Sequence, residues 1–262
     1  MRENNPRPIT ATSVGYFSMT LYDYPIDSFV YIFLDPKVYN IAAVIIKPDN
    51  MPRSEKEKMF SEEFLGKDYN AGRCQIVNME DIVLVYNDRN KSLNAFCDKP
   101  IIIDNNALKY RISYFLDQFT CSEDSAFISG TYYFSEIPYS HTKTIAERRK
   151  NTYQGSRMHF IRSLFENRLD AEGFTMKIVD SCKIGYASIV ADSSAQEKFL
   201  SQDRNIIVVY PRKLQRSLLK FSKKSVAIDK SGYFDPHGIT WSGFMASQIM
   251  ADLLPFEYEI NE

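Results

Sequence analysis

The sequence has no long hydrophobic run, and this feature argues against a helical membrane anchor. None of its apolar runs approaches the length of about 18 residues that a helix needs to cross a bilayer. The opening residues, Met1–Pro6, also lack the apolar core of a secretory signal. The sequence therefore predicts no transmembrane segment and no signal peptide, so that either the chain is cytoplasmic or the start of an exported protein is missing.

An excess of positive charge and the common catalytic motifs are also missing. The net charge is −1, whereas nucleic-acid-binding proteins usually carry a basic excess. None of His141, His159 and His237 has a partner at metal-ligand spacing, and His-Glu-x-x-His, Gly-x-Ser-x-Gly and phosphate-binding glycine loops do not occur. We therefore expect no metal, no cofactor, no nucleic acid and no catalytic residue.

Tryptophan and cysteine are scarce, whereas the other aromatic residues are abundant. One Trp stands against 17 Tyr and 18 Phe, a composition that suits half-buried sheets and extracytoplasmic surfaces. The four cysteines are far apart, so buried free thiols are favoured and at least one disulfide is the alternative. These cysteines are Cys74, Cys97, Cys121 and Cys182.

The pattern of short apolar runs predicts an α+β protein with three segments. Residues 1–47 are expected to form a partial β-sandwich, with strands at Ile9–Tyr16, Phe29–Leu34 and Ile41–Ile46. Residues 48–66 are expected to be a linker and a short helix that ends at Gly66. Residues 67–262 are expected to form a larger, mainly antiparallel sheet with a helical segment packed against it.

Within residues 67–262, strict alternation from 108 to 116 predicts a strand with one buried face. Residues 126–137 should pair with that strand, and residues 82–86 and 93–97 should form a hairpin. A helical segment is expected from Thr144, in a capping box with Glu147, to a C-cap at Gly173. Further elements are expected at residues 175–179, 205–210 and 225–228, at Trp241, and as a helix over 243–254.

The residues best suited to binding or chemistry lie in one block, 151–164, which is expected to be helical. Its candidates are Tyr153, Arg157, His159 and Arg162. Ser156 lies three residues before His159, but neighbouring turns of one helix seldom supply a nucleophile–base pair, so a helix-capping role for Ser156 is favoured. His159 is expected to be partly buried and bonded to a backbone carbonyl, with a ligand-binding or pH-sensing role as the alternative.

A second candidate site lies between residues 204 and 224, which contain seven Lys or Arg and no acidic residue. Arg212, Lys213 and Arg216 are its candidate binding residues, for an anionic glycan, a lipid headgroup or an acidic partner. The alternative, which the overall charge balance favours, is a solvated basic face. The interleaved residues Leu214 to Phe221 are expected to anchor a loop to the core, or to form an amphipathic surface.

Several phrases resemble one family, the Bacteroidetes carboxypeptidase-like regulatory-domain-containing proteins. The most specific are Tyr153-Gln154-Gly155-Ser156 followed by His159-Phe160-Ile161-Arg162-Ser163-Leu164, and Gly173-Phe174. Residues 13–16, 43–46, 63–66, 74–78, 100–105, 108–114, 241–244 and 251–255 also match. The chain departs from the family at Lys109, where glycine is common, and at Ile249, where arginine is expected. The front of the regulatory-like (transthyretin-like) sandwich and the usual export signal are also missing.

The resemblance implies an exported protein of the cell envelope, in the periplasm or at the cell surface, with no catalytic residues to transfer. The sequence therefore predicts a non-catalytic envelope protein that binds a glycan or a protein partner. Two alternatives stay open. One is a hydrolase with an unfamiliar site near Tyr153, Arg157 and His159, and the other is a purely structural accessory module.

Overall fold

The computed structural model describes residues 9–13, 16–17, 19–21, 24–25, 28–36, 50–123, 125–180, 183–193, 197–235 and 238–260. The chain divides into two compact units, Met1–Ser140 and His141–Glu262. Helices and antiparallel sheets occur together, which confirms the predicted α+β class. The division at residue 140 differs from the predicted boundaries at 47 and 66, of which residue 47 lies outside the described residues.

The first described residues form less regular structure than the sequence predicts. Strands β1 (Ile9–Ala11) and β2 (Met19–Leu21) pair in antiparallel fashion, and Tyr16 forms a bridge with Pro36. Residues 29–34, predicted as a strand, form none, because strand propensity is realised only where a neighbouring strand takes up the backbone hydrogen bonds. The predicted strand at 41–46 lies outside the described residues.

From residue 50 onward, the described part of the first unit is one α-helix on a six-stranded antiparallel sheet. The elements are α1 (Arg53–Leu65), β3 (Cys74–Ile76), β4 (Val83–Asn87), β5 (Ser92–Phe96), β6 (Ile101–Asn105), β7 (Tyr110–Cys121) and β8 (Ala126–Glu136). Helix α1 buries Phe60 and Phe64, whose rings lie 4.8 Å from Phe119 and 5.2 Å from Tyr114 respectively. The core of this unit is therefore the aromatic layer between α1 and β7.

Strand β7 is the central strand of this sheet. Its first half pairs with β6 and its last residues pair with β5, so that the two shorter strands share one edge of β7. Strand β8 pairs with the whole length of the other edge, from Tyr110↔Glu136 to Cys121↔Ala126. The predicted hairpins are confirmed. Lys109, where the resembled family commonly has glycine, adopts the left-handed conformation with φ of 58°.

The described part of the second unit contains four α-helices and two sheets. The elements are α2 (Thr142–Tyr153), α3 (Arg157–Phe165), α4 (Leu169–Glu172), β9 (Thr175–Ile178), β10 (Lys183–Ile184), β11 (Val190–Ser193), β12 (Glu197–Leu200), β13 (Ile206–Tyr210), β14 (Gln215–Phe221), β15 (Val226–Asp229), β16 (Ile239–Gly243) and α5 (Phe244–Ser247). One sheet has the order β10-β9-β13-β14-β16, and the other has the order β11-β12-β15. The buried side of α3, with Phe160, Ile161 and Leu164, belongs to the core of this unit.

Three predictions for this unit need correction. Helix α2 begins at Thr142, so Thr144 lies inside the first turn and cannot cap it. The apolar stripe from 158 to 169 is divided between α3 and α4, because Asn167 adopts a left-handed φ of 56° and ends the first helix. Residues 215–221, predicted as a loop or an amphipathic surface, form strand β14 between β13 and β16. The predicted C-cap at Gly173 is confirmed.

Candidate functional site

The block from 151 to 164 contains a bend between two helices. Helix α2 ends at Tyr153, Gly155 adopts a left-handed φ of 82°, and Ser156 caps α3. The Ser156 hydroxyl oxygen accepts a hydrogen bond from the His159 backbone N–H at 3.0 Å, which confirms the predicted capping role. The hydroxyl is therefore used by the helix backbone, and no hydrogen bond joins it to the imidazole of His159 in this described segment.

His159 is only 4% exposed and lies between a backbone amide and a carboxylate. Its Nδ1 accepts a hydrogen bond from the Gly155 N–H at 3.0 Å, so the proton of the neutral ring belongs on Nε2, which lies 3.3 Å from Glu172 Oε2. The prediction that His159 is bonded to a backbone carbonyl was wrong. The ring packs at 4.8 Å from both Tyr153 and Phe174, so this polar side chain is part of an aromatic cluster.

Acid is expected to destabilise the second unit through His159. Burial lowers the pKa of His159 below its ordinary value, and this effect outweighs the opposing carboxylate of Glu172. The unfolded chain then binds the proton more readily than the folded chain. The free energy of unfolding should therefore decrease as the pH falls below about 6.5, by at most about 1.4 kcal/mol per pH unit, until the pH reaches the lower pKa of the folded state.

The measurement is urea unfolding at a series of pH values, followed by the fluorescence of Trp241, the single tryptophan, which lies in β16 of the same unit. The His159→Gln variant should lose this part of the pH dependence, whereas His141→Gln, at an exposed position, should keep it. Equal pH dependence in the wild type and in His159→Gln would contradict the assignment.

Arg162 and Arg157 donate hydrogen bonds to groups of three later segments of the same unit, at residues 231, 248 and 256–258. The guanidinium of Arg162 donates to three carbonyl oxygens, those of Ser231 at 2.8 Å, Phe256 at 2.9 Å and Tyr258 at 2.7 Å. Arg157 donates from its side chain to the carbonyl of Gln248, and its backbone N–H donates to Gln248 Oε1 at 3.0 Å. Both arginines therefore hold α3 against these later segments of the unit.

Tyr153 completes this group as a structural residue. Its ring is buried, lies 5.5 Å from the Arg162 guanidinium and packs 5.6 Å from the ring of Tyr258. Burial raises the pKa of the Tyr153 hydroxyl above its ordinary value. The four candidates of this block are brought together, as expected for residues of one helical bend, but their bonds are directed into the unit.

The basic candidates do not form one patch. Lys213 donates to the carbonyls of Asn151 and of Gln154, the latter at 2.8 Å, and so satisfies the end of helix α2. Burial lowers the pKa of Lys213. Arg212 and Arg216 are exposed, and Arg212 lies over Gly173, where an added Cβ would meet its Nε at 3.2 Å. Two of the three side chains are thus available to a ligand.

A half-open cavity of about 350 Å³ lies elsewhere in the second unit. It is lined by residues 167–171 and 183–186, together with Phe174 and Met176. Its charged groups are paired, Lys183 with Asp170 at 2.9 Å and Arg168 with Glu172 at 2.9 Å. None of the seven predicted binding residues lines it, so the candidates and the cavity are separate features.

The feature that sequence reasoning missed is the outer edge of β8 in the first unit. Strand β8 spans 11 residues and, among the described strands, pairs with β7 alone. None of its residues is fully buried, and Phe127 and Tyr133 are 47% and 56% exposed. A strand with one paired edge presents backbone N–H and C=O groups on the other, which is a template for another chain.

The composition of β8 leaves this edge unprotected. Natural edge strands usually carry lysine, proline or an inward charge that prevents pairing, but residues 126–135 contain no charged residue and no proline. Charges stand only outside this stretch, at Glu123, Asp124 and Glu136. The signal was present in the sequence as a charge-free run, but only the strand order shows that the run is an edge.

The two faces of β8 have different roles. Residues of one face pack on the aromatic layer, where Tyr132 stacks 6.1 Å from Tyr114 and Phe134 lies 5.5 Å from Tyr110. The other face points away from α1, and we call it the outer face. It consists of Phe127, Ser129, Thr131, Tyr133 and Ser135.

No group of three or more His, Cys, Asp or Glu side chains in the described ranges is placed to hold a metal ion. Cys74, Cys97 and Cys121 are free thiols, and burial raises the pKa of Cys121 to about 11, while Cys182 lies outside the described residues. In the part of the chain that is described, no helix has the length and apolar character needed to cross a bilayer.

Comparison with known proteins does not assign the chain. No protein-family model, no curated protein and no solved structure matches it. The resemblance to the carboxypeptidase-like regulatory-domain family stays a prediction.

Proposed function

We propose that this protein is a non-catalytic interaction protein that binds an extended polypeptide as an additional strand on β8. One observation carries the proposal, namely an 11-residue edge strand with no charge or proline from 126 to 135 and with two exposed aromatic side chains. A partner strand would obtain its affinity from main-chain hydrogen bonds along this edge. Of the two kinds of partner expected from the sequence, a glycan or a protein, this role requires a protein.

The outer face would supply the specificity. Phe127 and Tyr133 are six residues apart on it, which corresponds to about 20 Å along a strand. Their rings would cover side chains of the added strand that point to the same face, at intervals of two residues. The proposal therefore favours a partner segment of about ten residues, apolar or β-branched at alternate positions.

The alternatives receive less support from the contacts. Arg157, Arg162 and Lys213 donate to backbone carbonyls, and the His159 ring is enclosed by aromatic rings, so a hydrolytic site there would first have to break the contacts that hold the unit together. A glycan site would have to rely on the exposed Arg212 and Arg216. An extracytoplasmic location belongs to the proposal through the family resemblance alone.

An array of synthetic 11-residue peptides with alternating apolar and polar residues tests the proposal. The full chain, labelled and applied at nanomolar concentration, should bind a subset of these peptides. Tyr133→Lys should weaken that binding about tenfold or more, because it places a charge on the edge and removes an exposed ring. Val83→Lys is the matched control, since Val83 is equally exposed, at 56%, but belongs to β4.

A glycan array tested in parallel distinguishes strand addition from the rival function, which is glycan binding. The variant for it is Arg212→Glu with Arg216→Glu, which leaves Lys213 in place because Lys213 caps α2. Peptide binding that is lost in Tyr133→Lys and kept in Val83→Lys supports strand addition. Absence of peptide binding, or glycan binding that is lost in the double arginine variant, would overturn it.

A further inference from the structure

We propose that the strand added to β8 is the β8 of a second copy of this chain, in an antiparallel register centred on Thr131. The inference rests on the proposed function, because it uses the same free edge. A dimer closed by a two-fold axis perpendicular to the sheet makes its two edge strands antiparallel, and the two sheets then form one continuous sheet. Every side chain keeps its face, so the two outer faces join.

The side chains of β8 are complementary to themselves in this register. Phe127 lies opposite Ser135 of the second copy, and Tyr133 lies opposite Ser129. Each exposed ring is thus matched with a small hydroxyl side chain, and Ile128 lies opposite Phe134 on the other face. All 11 residues of the strand find a partner. A shift of the centre to Gly130 would shorten the ladder and place two glycines opposite each other.

Charge supports a second copy as the occupant. Like charges that lie directly opposite one another destabilise a strand pair, but residues 126–135 contribute none to the ladder. In this register Glu136, at the end of the strand, lies opposite Ala126 of the second copy. It is far from the Glu136 of that copy. Self-pairing therefore places no two acidic residues opposite each other.

Thr131, the central residue, provides an independent observation. Its Oγ1 is buried and has no hydrogen-bond partner among the described residues, which is unusual for a buried hydroxyl. In the proposed register Thr131 lies opposite Thr131 of the second copy, and cross-strand threonine pairs are joined by hydrogen bonds between their hydroxyl groups. This hydroxyl is covered in the single chain, so a rotation about χ1 has to turn it toward the edge, where the second copy supplies the missing partner.

A ladder of one strand from each chain buries less surface than a standard protein interface, so we expect a reversible dimer with a dissociation constant in the micromolar range. Sedimentation velocity of the full chain over a concentration series should show a shift from monomer to dimer. Thr131→Lys should abolish this shift, because it places two ammonium groups opposite each other at the axis. Val83→Lys should leave it unchanged, and circular dichroism of both variants verifies their folding.

Single-cysteine variants test the register without a disruptive charge. Under mild oxidation Thr131→Cys should form a disulfide-linked dimer, because position 131 lies opposite itself at strand-pair distance. Ser135→Cys should not, because position 135 lies opposite Phe127 and four residue steps along the strand from the axis. The wild type, treated in the same way, controls for the native cysteines.

The outcomes separate this inference from the function on which it rests. A concentration-dependent dimer, lost in Thr131→Lys and cross-linked through Thr131→Cys alone, supports self-pairing. A monomer at every concentration, or equal cross-linking at positions 131 and 135, overturns self-pairing. If peptides still bind in a Tyr133-dependent way in that case, strand addition stands with a different partner, and if they do not, both proposals fail.

Discussion

Replacement of Arg162 by alanine is expected to lower the free energy of unfolding of the second unit by about 3–5 kcal/mol. Three carbonyl oxygens, those of Ser231, Phe256 and Tyr258, receive hydrogen bonds from this one guanidinium group. Hydrogen bonds from a charged donor stabilise more than neutral ones, and their loss leaves partly buried carbonyls unsatisfied. The measurement is urea unfolding monitored through Trp241.

Two further variants make this prediction specific. Arg162→Lys should recover only a minor part of the stability, because an ammonium group lacks the planar fork that reaches three separate acceptors. Arg168→Ala should cost about 1 kcal/mol or less, since the Arg168 side chain is 57% exposed and forms surface ion pairs. A similar loss in Arg162→Ala and Arg168→Ala would contradict the assigned role.

Replacement of Gly155 by alanine is expected to destabilise the same unit by about 2–4 kcal/mol. The backbone φ of 82° disfavours any residue with a Cβ. An added Cβ would also lie 2.2 Å from Gln215 Oε1 and 2.8 Å from Tyr210 Cδ1. Any shift of this backbone would in addition weaken the bond from the Gly155 N–H to His159.

The matched control for this variant is Gly185→Ala. Gly185 has a φ of −108°, and an added Cβ there would meet no atom within 4 Å. This control should be neutral or slightly stabilising, because alanine reduces the entropy of the unfolded chain. If unfolding monitored through Trp241 gave equal stabilities for the two variants, the close packing at Gly155 would be refuted.

Local patterns predicted the elements whose causes are local. Alternation revealed β7 and its pairing with β8, Ser156 was identified as a helix cap, and Gly173 was identified as a C-cap. Strand β14 was missed because Leu218 and Leu219 are adjacent and lysine and arginine are interspersed, which obscures the period of two. Its strand state depends on β13 and β16, and both are separate segments of the chain.

The candidate residues show the same limit. The sequence contains the charges of Arg162 and Lys213, but their acceptors lie up to 96 and 62 positions away along the chain. Only the folded unit shows that these cations satisfy carbonyls and helix ends. A cluster of polar residues in sequence therefore did not correspond to a cluster that is available to a ligand.

The sequence by itself determined the α+β class, most strands and the helix cap at Ser156, because hydrophobic periodicity and capping act over a few residues. Only the tertiary structure decided that β8 lies at an edge of the sheet, as β3 and β4 also do. Residues 126–135 are free of charge in the sequence, but their importance depends on β5 and β6 occupying one side of β7 and on β8 lying at the other. Edge status is a property of strand order, and strand order is set by contacts between distant parts of the chain.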